Sequence, residues 1–412
     1  MVMRVLIVSQ YFWPEVFRIN NVVRTLLERG ISVDVLTGKP NYPEGKIFPG
    51  YRSFGIQREQ YFGAAVLRLP IFLRGTRSGW RLILNYLSFV VSGLILAPWL
   101  LRTRRYDAIF VYAPSPILQA IPALFLGWLK SSPVVVWVQD LWPESLEATG
   151  YVRNRRVLGW VEKLVRYIYR HADLLLVQSR GFMSPVGALA AGTPVAYFPN
   201  SVESIFCDLP DVRLPEIPAL DEGFSVLFAG NVGVGQAVEV IVEAATLLRD
   251  RPDIRFVVLG HGSRWDWMCE QVKARGLTNL HLPGRYPLET MPGLMQKASV
   301  LLVSLADQPI FAATVPNKVQ AYMAAGRPIL ACLNGVGARL VVEAGAGLSV
   351  PAEDARGLAA AVLRSYEMPS EERAAMGTNG RRYFKEHFDH DRLIDELIGY
   401  FRSFSKVGRG KE

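Results

Sequence analysis

The chain has 412 residues, of which half are hydrophobic and 20% are charged, which excludes a disordered chain and supplies apolar material for two or three domains. The net charge of +9 comes from residues 1–200, where 23 Lys and Arg face 11 Asp and Glu, so we expect an anionic partner such as lipid or nucleic acid. Cys207, Cys269 and Cys332 are too widely spaced for a metal-binding pair and cannot form an even disulfide framework.

The first half of the chain alternates apolar strands with helical segments. Arg4–Ser9 predicts a strand, residues 22–30 a helix and Ser32–Leu36 a second strand, which together make a parallel pair with a crossover helix. The first residues lack the cleavage site of a signal peptide, so we expect a cytoplasmic protein. The alternation continues and predicts a doubly wound α/β domain, Rossmann-like, over residues 1–200. Its further predicted strands are Ala108–Tyr112, Val134–Val138 and Leu174–Val177.

Residues 80–105 contain an apolar segment about as long as a bilayer span, at Leu82–Leu101. Asn85 and Pro98 are among the residues that interrupt it, whereas Trp80 and Trp99 suit the headgroup boundary. Three interpretations remain open: a helix lying on a membrane, which we favour, a buried core helix, and a true span. The arginines that border the segment are Arg68, Arg74, Arg77, Arg81, Arg102, Arg104 and Arg105.

The second half repeats the α/β pattern after a proline-rich linker that ends near Leu220. We expect a second Rossmann-like domain over residues 201–385, and a C-terminal helix and tail over 386–412 that crosses back to the first domain. Ligands of open α/β sheets bind at the carboxyl ends of the strands, so two such domains predict an interdomain cleft as the site. The predicted strands are Ser225–Ala229, Arg255–Leu259, Leu280–Leu282, Val300–Val303 and Pro328–Cys332.

The segment from Thr314 to Cys332 carries the clearest sign of ligand binding. Pro316 and Asn317 predict a helix start with Asn317 as N-cap, and Gly326 predicts its end. Backbone N–H groups at a helix start attract phosphate, and Lys318 adds a full charge beside them. Taken alone, these residues fit an ordinary helix of an α/β domain equally well.

Glycine turns follow other predicted strands of the second half. Gly230 to Gly233 lie in the first turn, Gly260 lies in the next with Arg264 just beyond, and Gly284 to Tyr286 end a short strand. Glycine lets a backbone approach a diphosphate closely, and Arg285 or Tyr286 can carry a flat base. Glu343 precedes a fourth turn. Each turn alone is more often structural, but their order on one domain is specific.

That order resembles the C-terminal domain of family 4 glycosyltransferases, which have the GT-B fold. Tyr11–Glu15, followed by Asn20 and Asn21, resembles the first loop of the family. Val136–Ser145 and Leu174–Phe182 are similar to the WbuB-like bacterial N-acetylfucosaminyl transferases of O-antigen and capsule assembly. The likeness extends from about Arg4 to Phe388.

The resemblance implies a retaining hexosyltransferase that uses a UDP-sugar, without a cofactor or metal. Pro316, Asn317 and Lys318 would hold the diphosphate, Gln320 the ribose, and Gly284–Tyr286 the uracil. Many family members carry Arg and Lys on the first glycine loop, where this chain has Asn231 and Gln236, so other cations must supply that charge. The full predicted donor set is Gly230, Asn231, Gly233, Gly260, Arg264, Gly284, Arg285, Tyr286, Pro316, Asn317, Lys318, Gln320 and Glu343.

Sugar transfer builds negative charge on the leaving diphosphate and positive charge on the sugar ring. N–H groups and Lys318 can stabilise the first charge, while a carboxylate can stabilise the second or take the acceptor proton. Asp140, just after the strand Val134–Val138, is our first candidate, and Glu15 and Glu144 are next. Asp140 has an alternative role as a helix N-cap. The predicted acceptor-binding residues are Arg18, Asn20, Asn21, Trp142 and Glu144.

A lipid-linked acceptor gives the basic, aromatic first half a function. Its polyprenyl diphosphate confines the saccharide to the cytoplasmic membrane leaflet, where each basic residue contributes ~1 kcal/mol to docking. We therefore expect a peripheral enzyme of O-antigen or capsule (lipopolysaccharide-type) biosynthesis with no nucleic-acid partner. A UDP-N-acetylhexosamine 2-epimerase of similar two-domain architecture is the alternative. A nucleic-acid binder ranks last, because the basic excess borders an apolar segment and not a polar groove.

Overall fold

The computed structural model describes residues 2–75, 79–148, 154–202, 206 and 212–408, so Arg77 and Cys207 lie outside the described residues. The chain divides into two compact units. The first comprises Met1–Pro199 with Asp391–Glu412, and the second comprises Asn200–His390. The boundaries expected from the sequence fall after residues 200 and 385.

The first unit is built on a mostly parallel sheet. Its strands are β1 (Arg4–Val8), β2 (Ser32–Thr37), β3 (Gln57–Tyr61), β4 (Ala64–Arg68), β5 (Ala108–Ala113), β6 (Val134–Val138), β7 (Leu174–Val177) and β8 (Val195–Tyr197). Their order is β3-β4-β2-β1-β5-β6-β7-β8, with β3 antiparallel to β4 and parallel pairing from β4 to β8. The central strands are buried on both faces, which is why they are continuous apolar runs.

Helices cover this sheet, and one comes from the end of the chain. They are α1 (Arg18–Glu28), α2 (Gly79–Leu100), α3 (Ala120–Lys130), α4 (Glu144–Ala148), α5 (Arg155–His171), α6 (Met183–Ala190) and α16 (His390–Gly408). Leu393, Leu397 and Phe401 of α16 are at most 1% exposed and share a hydrophobic cluster with β1 and β5 residues. The ring of Phe401 packs edge-on against Phe110 at 5.7 Å. The C-terminal helix therefore completes the core of the first unit.

Helix α2 contains the long apolar segment and has two different faces. Asn85 accepts a hydrogen bond from Nε2 of Gln10 at 2.7 Å, and Phe89 is fully buried. Length and composition alone would allow α2 to cross a membrane, yet 33% of its most apolar window is buried in the protein. A helix buried on all sides, as a core helix would be, differs from this arrangement, whereas the two membrane interpretations stay predictions. The exposed hydrophobic residues of α2 are Trp80, Ile83, Leu84, Leu87, Val91, Ile95 and Trp99.

The second unit has a wholly parallel sheet in its described residues. Its strands are β9 (Phe224–Asn231), β10 (Ile254–His261), β11 (Leu280–Gly284), β12 (Val300–Ser304), β13 (Ile329–Cys332) and β14 (Gly347–Val350), in the order β11-β10-β9-β12-β13-β14. Two hydrophobic clusters, one on each face, enclose it. The helices are α7 (Pro218–Asp221), α8 (Glu239–Leu247), α9 (Trp265–Arg275), α10 (Met291–Lys297), α11 (Pro309–Ala313), α12 (Asn317–Ala325), α13 (Val336–Glu343), α14 (Ala355–Glu367) and α15 (Ser370–His387).

Candidate active site

The carboxyl ends of β9 and β10 meet at Gly230 and Gly260, which are partners in the parallel register. Gly260 has a φ of +155°, and a Cβ atom there would overlap the carbonyl oxygen of Gly230. Gly230 has a φ of +131°, and its Cβ would lie 2.7 Å from Cε of Lys318. Glycine is required at both positions. No side chain therefore covers the backbone at these two positions, at the edge where open α/β sheets bind their ligands.

Helix α12 begins at the same edge of the sheet. Pro316 is its N-cap and already has the extended backbone that precedes a helix, so Asn317 is the first helical residue. The prediction of Asn317 as N-cap is therefore wrong. Its side-chain oxygen instead accepts a hydrogen bond from Nδ2 of Asn200 at 3.4 Å. The predicted helix end at Gly326 is confirmed, with a φ of +70°.

Lys318 is a buried cation with no counter-charge in the part of the chain that the structure describes. Its side chain crosses Gly230 and places Nζ 3.4 Å from the centroid of the Phe228 ring. Within the described residues Nζ has no hydrogen-bond partner. Burial lowers the pKa of Lys318 from 10.5 to about 7, because the charged form loses its hydration, and a cation–π contact restores only part of it. An anion that reached Gly230 would supply the missing partner.

Two oxygens near the start of α12 also lack partners in the described chain, Oε1 of Gln320 and Oδ1 of Asn200. Gln320 is 1% exposed, so water does not compensate it freely. Tyr322 fixes the helix against β9, since its hydroxyl accepts a hydrogen bond from the N–H of Ala229 at 3.0 Å. Unsatisfied buried polar atoms are uncommon, and a concentration of them points to a polar ligand.

The glycine loop after β9 is lined by neutral polar groups. Nδ2 of Asn231 donates to Oε1 of Gln236 at 3.0 Å, and Gly233 lies against this pair. Arg264 was expected to bring charge to the phosphates, but Nε of its guanidinium donates to Glu239 at 2.7 Å. The group also lies 4.6 Å over the ring of Trp267. Because a carboxylate already neutralises it, Arg264 is not a free cation.

The predicted base site lies at the end of β11. Gly284 has a φ of +93°, which favours glycine, and Arg285 next to it is exposed. Tyr286 is half-buried and packs against the core of the second unit. An exposed arginine beside a fixed aromatic ring is compatible with stacking on a base, and the role of these residues stays a prediction.

Glu343 lies away from this edge. It is the last residue of α13, which begins at Val336 after β13 and leads to the start of β14. A crossover helix returns the chain from the carboxyl ends to the amino ends of parallel strands. Glu343 is therefore near the opposite end of the sheet from Gly230, and its prediction as a donor ligand is wrong. The order of the motifs along the chain does not show whether a residue lies at the carboxyl or the amino end of the sheet, which is why this prediction failed.

In the first unit, Glu15 holds its own loop. Its carboxylate accepts the backbone N–H groups of Phe12, Asn41 and Tyr42 at 3.2, 2.8 and 2.7 Å. Burial raises the pKa of Glu15 to about 7, although these hydrogen bonds lower it. Asn20 holds the same loop through two hydrogen bonds to its backbone. Both side chains are occupied inside the protein, which favours a positioning role over contact with a substrate.

Asp140 follows β6 and differs from Glu15 in having a free carboxylate. Its side chain is largely buried but remains partly exposed to solvent, and it makes no hydrogen bond or ion pair within the described ranges. Burial raises its pKa to about 6. Helix α4 begins only at Glu144, so the alternative role of Asp140 as an N-cap before residues 141–143 is wrong. A carboxyl group with a pKa near neutrality is suited to accept a proton.

Electrostatic effects connect the predicted acceptor residues of this unit. Asp140 raises the pKa of Tyr112 and of Tyr169, and burial is the largest cause in both. Arg18, at the start of α1, lowers the pKa of Tyr112, while Glu144 raises that of Tyr169. Two predicted acceptor residues remain. Trp142 is buried and its indole N–H finds no partner among the described residues, while Asn21 is half-buried on α1.

Two Rossmann-like units, the second of which combines a glycine-lined sheet edge with a buried lysine at a helix start, form the architecture of the GT-B class of glycosyltransferases. Sequence comparison agrees. The glycosyl transferase 4-like domain matches residues 16–201, and the domain described as glycosyl transferases group 1 matches residues 223–368. Together they cover most of the chain, which therefore belongs to the family 4 glycosyltransferases and is an enzyme.

Two curated relatives have related names. A protein of Escherichia coli (strain K12), assigned to colanic acid biosynthesis as the glycosyl transferase WcaI, is 24% identical over 97% of this chain and 100% of its own length. A protein of Pseudomonas aeruginosa assigned as the glycosyltransferase WbjE is 27% identical over 63% of this chain and 66% of its own. Both are named as sugar transferases, and the epimerase alternative receives no support.

Solved structures show the same fold. Sucrose-phosphate synthase from Thermosynechococcus elongatus superposes with a TM-score of 0.75 at 17% identity, covering 98% of this chain and 100% of that one. HepE of Anabaena, solved in complex with UDP, gives a TM-score of 0.67 at 13% identity, covering 98% and 100%. At these identities the likeness establishes the GT-B fold, and the donor of this chain has to be argued from its own residues.

Proposed function

We propose that this enzyme is a retaining transferase that moves a hexose-type sugar from a UDP-sugar to a polyprenyl-diphosphate-linked saccharide during assembly of a bacterial surface polysaccharide. An N-acetylated hexosamine or deoxyhexosamine is the proposed sugar. The name of the WcaI relative supports the pathway, and the UDP complex of HepE supports the donor nucleotide. The observation that carries the proposal is the buried Lys318 ammonium, unpartnered among the described residues, at the start of α12.

The donor diphosphate binds at the start of α12. The N–H groups of Asn317 and Lys318 have no intrahelical acceptor, and the helix dipole favours negative charge there. Nζ of Lys318 pairs with a phosphate oxygen over Gly230, where the missing side chain leaves room. The negative charge that grows on the leaving diphosphate is met by groups already in place, so little reorganisation is needed. The proposal includes no metal or cofactor.

The acceptor binds to the first unit, with Asp140 as its base. The acceptor oxygen bonds to C1 of the sugar, on the face from which the C1–O bond to the diphosphate breaks. The acceptor hydroxyl proton passes to the Asp140 carboxylate, and the electron pair of the broken bond leaves with UDP. With a pKa near 6, Asp140 is ionised at neutral pH and can take that proton.

Binding of UDP tests the donor site directly. Saturating UDP should raise the melting temperature of the wild type, because a ligand at 100 times its dissociation constant adds about 2.7 kcal/mol of stability. Lys318→Met should lose most of this shift. Lys273→Met, which removes an exposed lysine of α9 in the same unit, should keep it. An equal shift in all three proteins would refute the assignment, and a panel of UDP-sugars with a lipid-linked acceptor would then identify the substrate pair.

We further propose that the exposed face of α2 docks on an anionic lipid surface. Ile95 is 68% exposed and Trp99 is 59% exposed, which is costly in water for an apolar face of this length. The Arg102 guanidinium lies 5.4 Å over the Trp99 ring, so basic and aromatic groups are combined at the end of the helix. Apolar insertion with basic flanks is the arrangement of helices that lie in the membrane interface.

Sedimentation with vesicles tests this docking. The wild type should pellet with vesicles that contain anionic lipid and dissociate as salt is raised. The double substitution Ile95→Ala with Trp99→Ala should remain in the supernatant. Phe62→Ala removes an aromatic residue that is 70% exposed elsewhere in the unit, and it should behave as the wild type. Pelleting of the double variant at the wild-type level would contradict the proposal.

A further inference from the structure

Three buried hydrogen-bond donors in the first unit have no partner within its described residues. They are Nε2 of Gln139, Nε1 of Trp142 and the hydroxyl of Tyr169. The three residues are 9%, 5% and 1% exposed, so bulk water does not replace the missing acceptors. Neither the family resemblance nor the relatives' names account for them. Donors left unsatisfied in this way are expensive, and three in one unit call for a ligand.

Two of the three donors lie beside Asp140 in the loop after β6, since Gln139 is one residue before it and Trp142 two residues after it. Tyr169, on α5, is linked to the same carboxylate electrostatically, because Asp140 contributes to the raised pKa of its hydroxyl. The loop is held in place, because the Gln139 N–H donates to the Ala113 carbonyl at 3.1 Å. The Gln139 carbonyl in turn accepts from Nε2 of Gln178 at 3.3 Å. The backbone groups of Gln139 are therefore satisfied while its side-chain amide N–H is not.

We propose that Gln139, Trp142 and Tyr169 form a pocket that binds a neutral, oxygen-bearing substituent of the acceptor saccharide, next to the hydroxyl that reacts. This deepens the proposed function and rests on it. All three groups are hydrogen-bond donors, so the pocket selects a substituent with an acceptor oxygen, such as a hydroxyl or the carbonyl of an acetamido group. Asp140 and Glu144 lie close by and disfavour a carboxylate or phosphate on the sugar.

The substituent in the pocket cannot be the reacting hydroxyl itself. Hydrogen bonds donated to the reacting oxygen would occupy the lone pairs it needs to attack the sugar carbon. A neighbouring oxygen has no such conflict, and its hydrogen bonds orient the reacting hydroxyl toward Asp140. The three residues are thus positioning and specificity residues, and Asp140 remains the group that takes the proton.

The unsatisfied donors give the proposal a test that does not depend on turnover. Tyr169→Phe removes only the unpartnered hydroxyl, so the melting temperature of the free protein should stay level or rise. Tyr106→Phe is the matched control. Tyr106 is also buried in this unit, but its hydroxyl donates to Asp34 at 2.8 Å, so its removal should lower the melting temperature. A fall in Tyr169→Phe equal to that in Tyr106→Phe would show a structural role and overturn the proposal.

Ligand binding is followed at the Trp142 indole N–H by nitrogen-15 NMR, with the signal assigned through Trp142→Phe. The probes are the methyl glycosides of glucose, galactose and N-acetylglucosamine, with methyl glucuronide and glucose 6-phosphate as anionic comparisons. A neutral glycoside should shift the indole signal, the anionic sugars should do so less, and Tyr169→Phe should weaken the effective neutral glycoside about 10-fold. If no neutral glycoside moves the signal, or Tyr169→Phe binds as the wild type, the pocket is refuted.

The two proposals fail in different ways. If UDP produces no thermal shift and no transfer is found, the proposed function fails, while the indole titration still reports on a saccharide pocket. If transfer is found but Tyr169→Phe keeps the wild-type kcat/KM for the acceptor, the pocket fails and the transferase stands. In the supported case, Tyr169→Phe lowers acceptor kcat/KM about 10-fold and leaves the thermal shift with UDP unchanged.

Discussion

Binding of the donor should be accompanied by uptake of a proton at Lys318. In the free protein its ammonium is buried against Phe228 and Gly230 and has no partner in the described residues, which lowers its pKa to about 7. A bound diphosphate places negative charge beside Nζ and restores the charged form. The protein therefore takes up a fraction of a proton when UDP binds, and that fraction rises toward one as the pH increases above 7.

The size of the effect follows from that pKa. At pH 8 about nine-tenths of the free protein carries neutral Lys318, so about 0.9 proton should be taken up per UDP, and about half a proton at pH 7. UDP affinity should fall about tenfold per pH unit above pH 7. Calorimetric titration at pH 8 in two buffers of different ionisation enthalpy counts the protons. The second phosphate pKa, near 6, does not interfere at that pH.

Lys318→Met provides the control and a second observable. The pKa of Lys318 is lower in the folded state than in the unfolded chain. Below pH 7 the folded protein therefore bears the whole free-energy cost of burying the charged ammonium. That cost disappears as the lysine loses its proton, so the free energy of unfolding rises with pH between about 7 and 10.5. Lys318→Met should therefore be more stable at pH 7, by up to about 4 kcal/mol in urea unfolding, with a gap that narrows toward pH 10. Wild-type binding heats that do not depend on buffer would refute this reasoning.

Three further predictions concern stability and are measured by urea unfolding. Gly260→Ala should cost a few kcal/mol, because its Cβ would overlap the Gly230 carbonyl oxygen; Gly159→Ala, with open space around it, should cost little. The pKa of Glu15 is raised in the folded state, so its contribution to the free energy of unfolding is fully present below pH 4.5. This contribution falls by up to about 3 kcal/mol as the pH rises to 7, and Glu15→Gln should remove this pH dependence of stability. Phe401→Ala should destabilise the first unit by about 3–5 kcal/mol, and a smaller loss would mean that α16 is dispensable.

The elements that the sequence predicted well are those with one strong physical cause. Parallel strands buried on both faces are apolar runs, and α12 is bounded by Pro316 and Gly326. The hairpin of β3 and β4 was missed, because the edge strand Gln57–Tyr61 is mostly polar and lacks an apolar run. The short strands β8 and β14 were missed as well, and β14 begins at Gly347, in the stretch after Glu343 where the sequence predicted a turn.

The glycines and Lys318 of the candidate site could be predicted from the sequence. The hydrogen bonds and ion pairs that its other side chains make could not. Nothing local in the sequence shows that Arg264 meets Glu239, or that Glu15 is surrounded by three backbone N–H groups. These contacts join residues that are distant in sequence or in loops without a periodic pattern. The same holds for Tyr169, a helix residue whose aromatic character predicts only a core position.

The origin of α16 affects how the first unit matures on the ribosome. Its residues belong to the core of a unit whose other elements end at Pro199, so the second unit is synthesised before the last piece of that core emerges. Until then, the nascent sheet exposes the apolar surface that Leu397 and Phe401 later cover, and such surfaces attract chaperones or aggregate. A fragment containing only residues 1–199 would keep that surface open permanently. Joining residues 391–408 to it through a flexible connection should restore solubility.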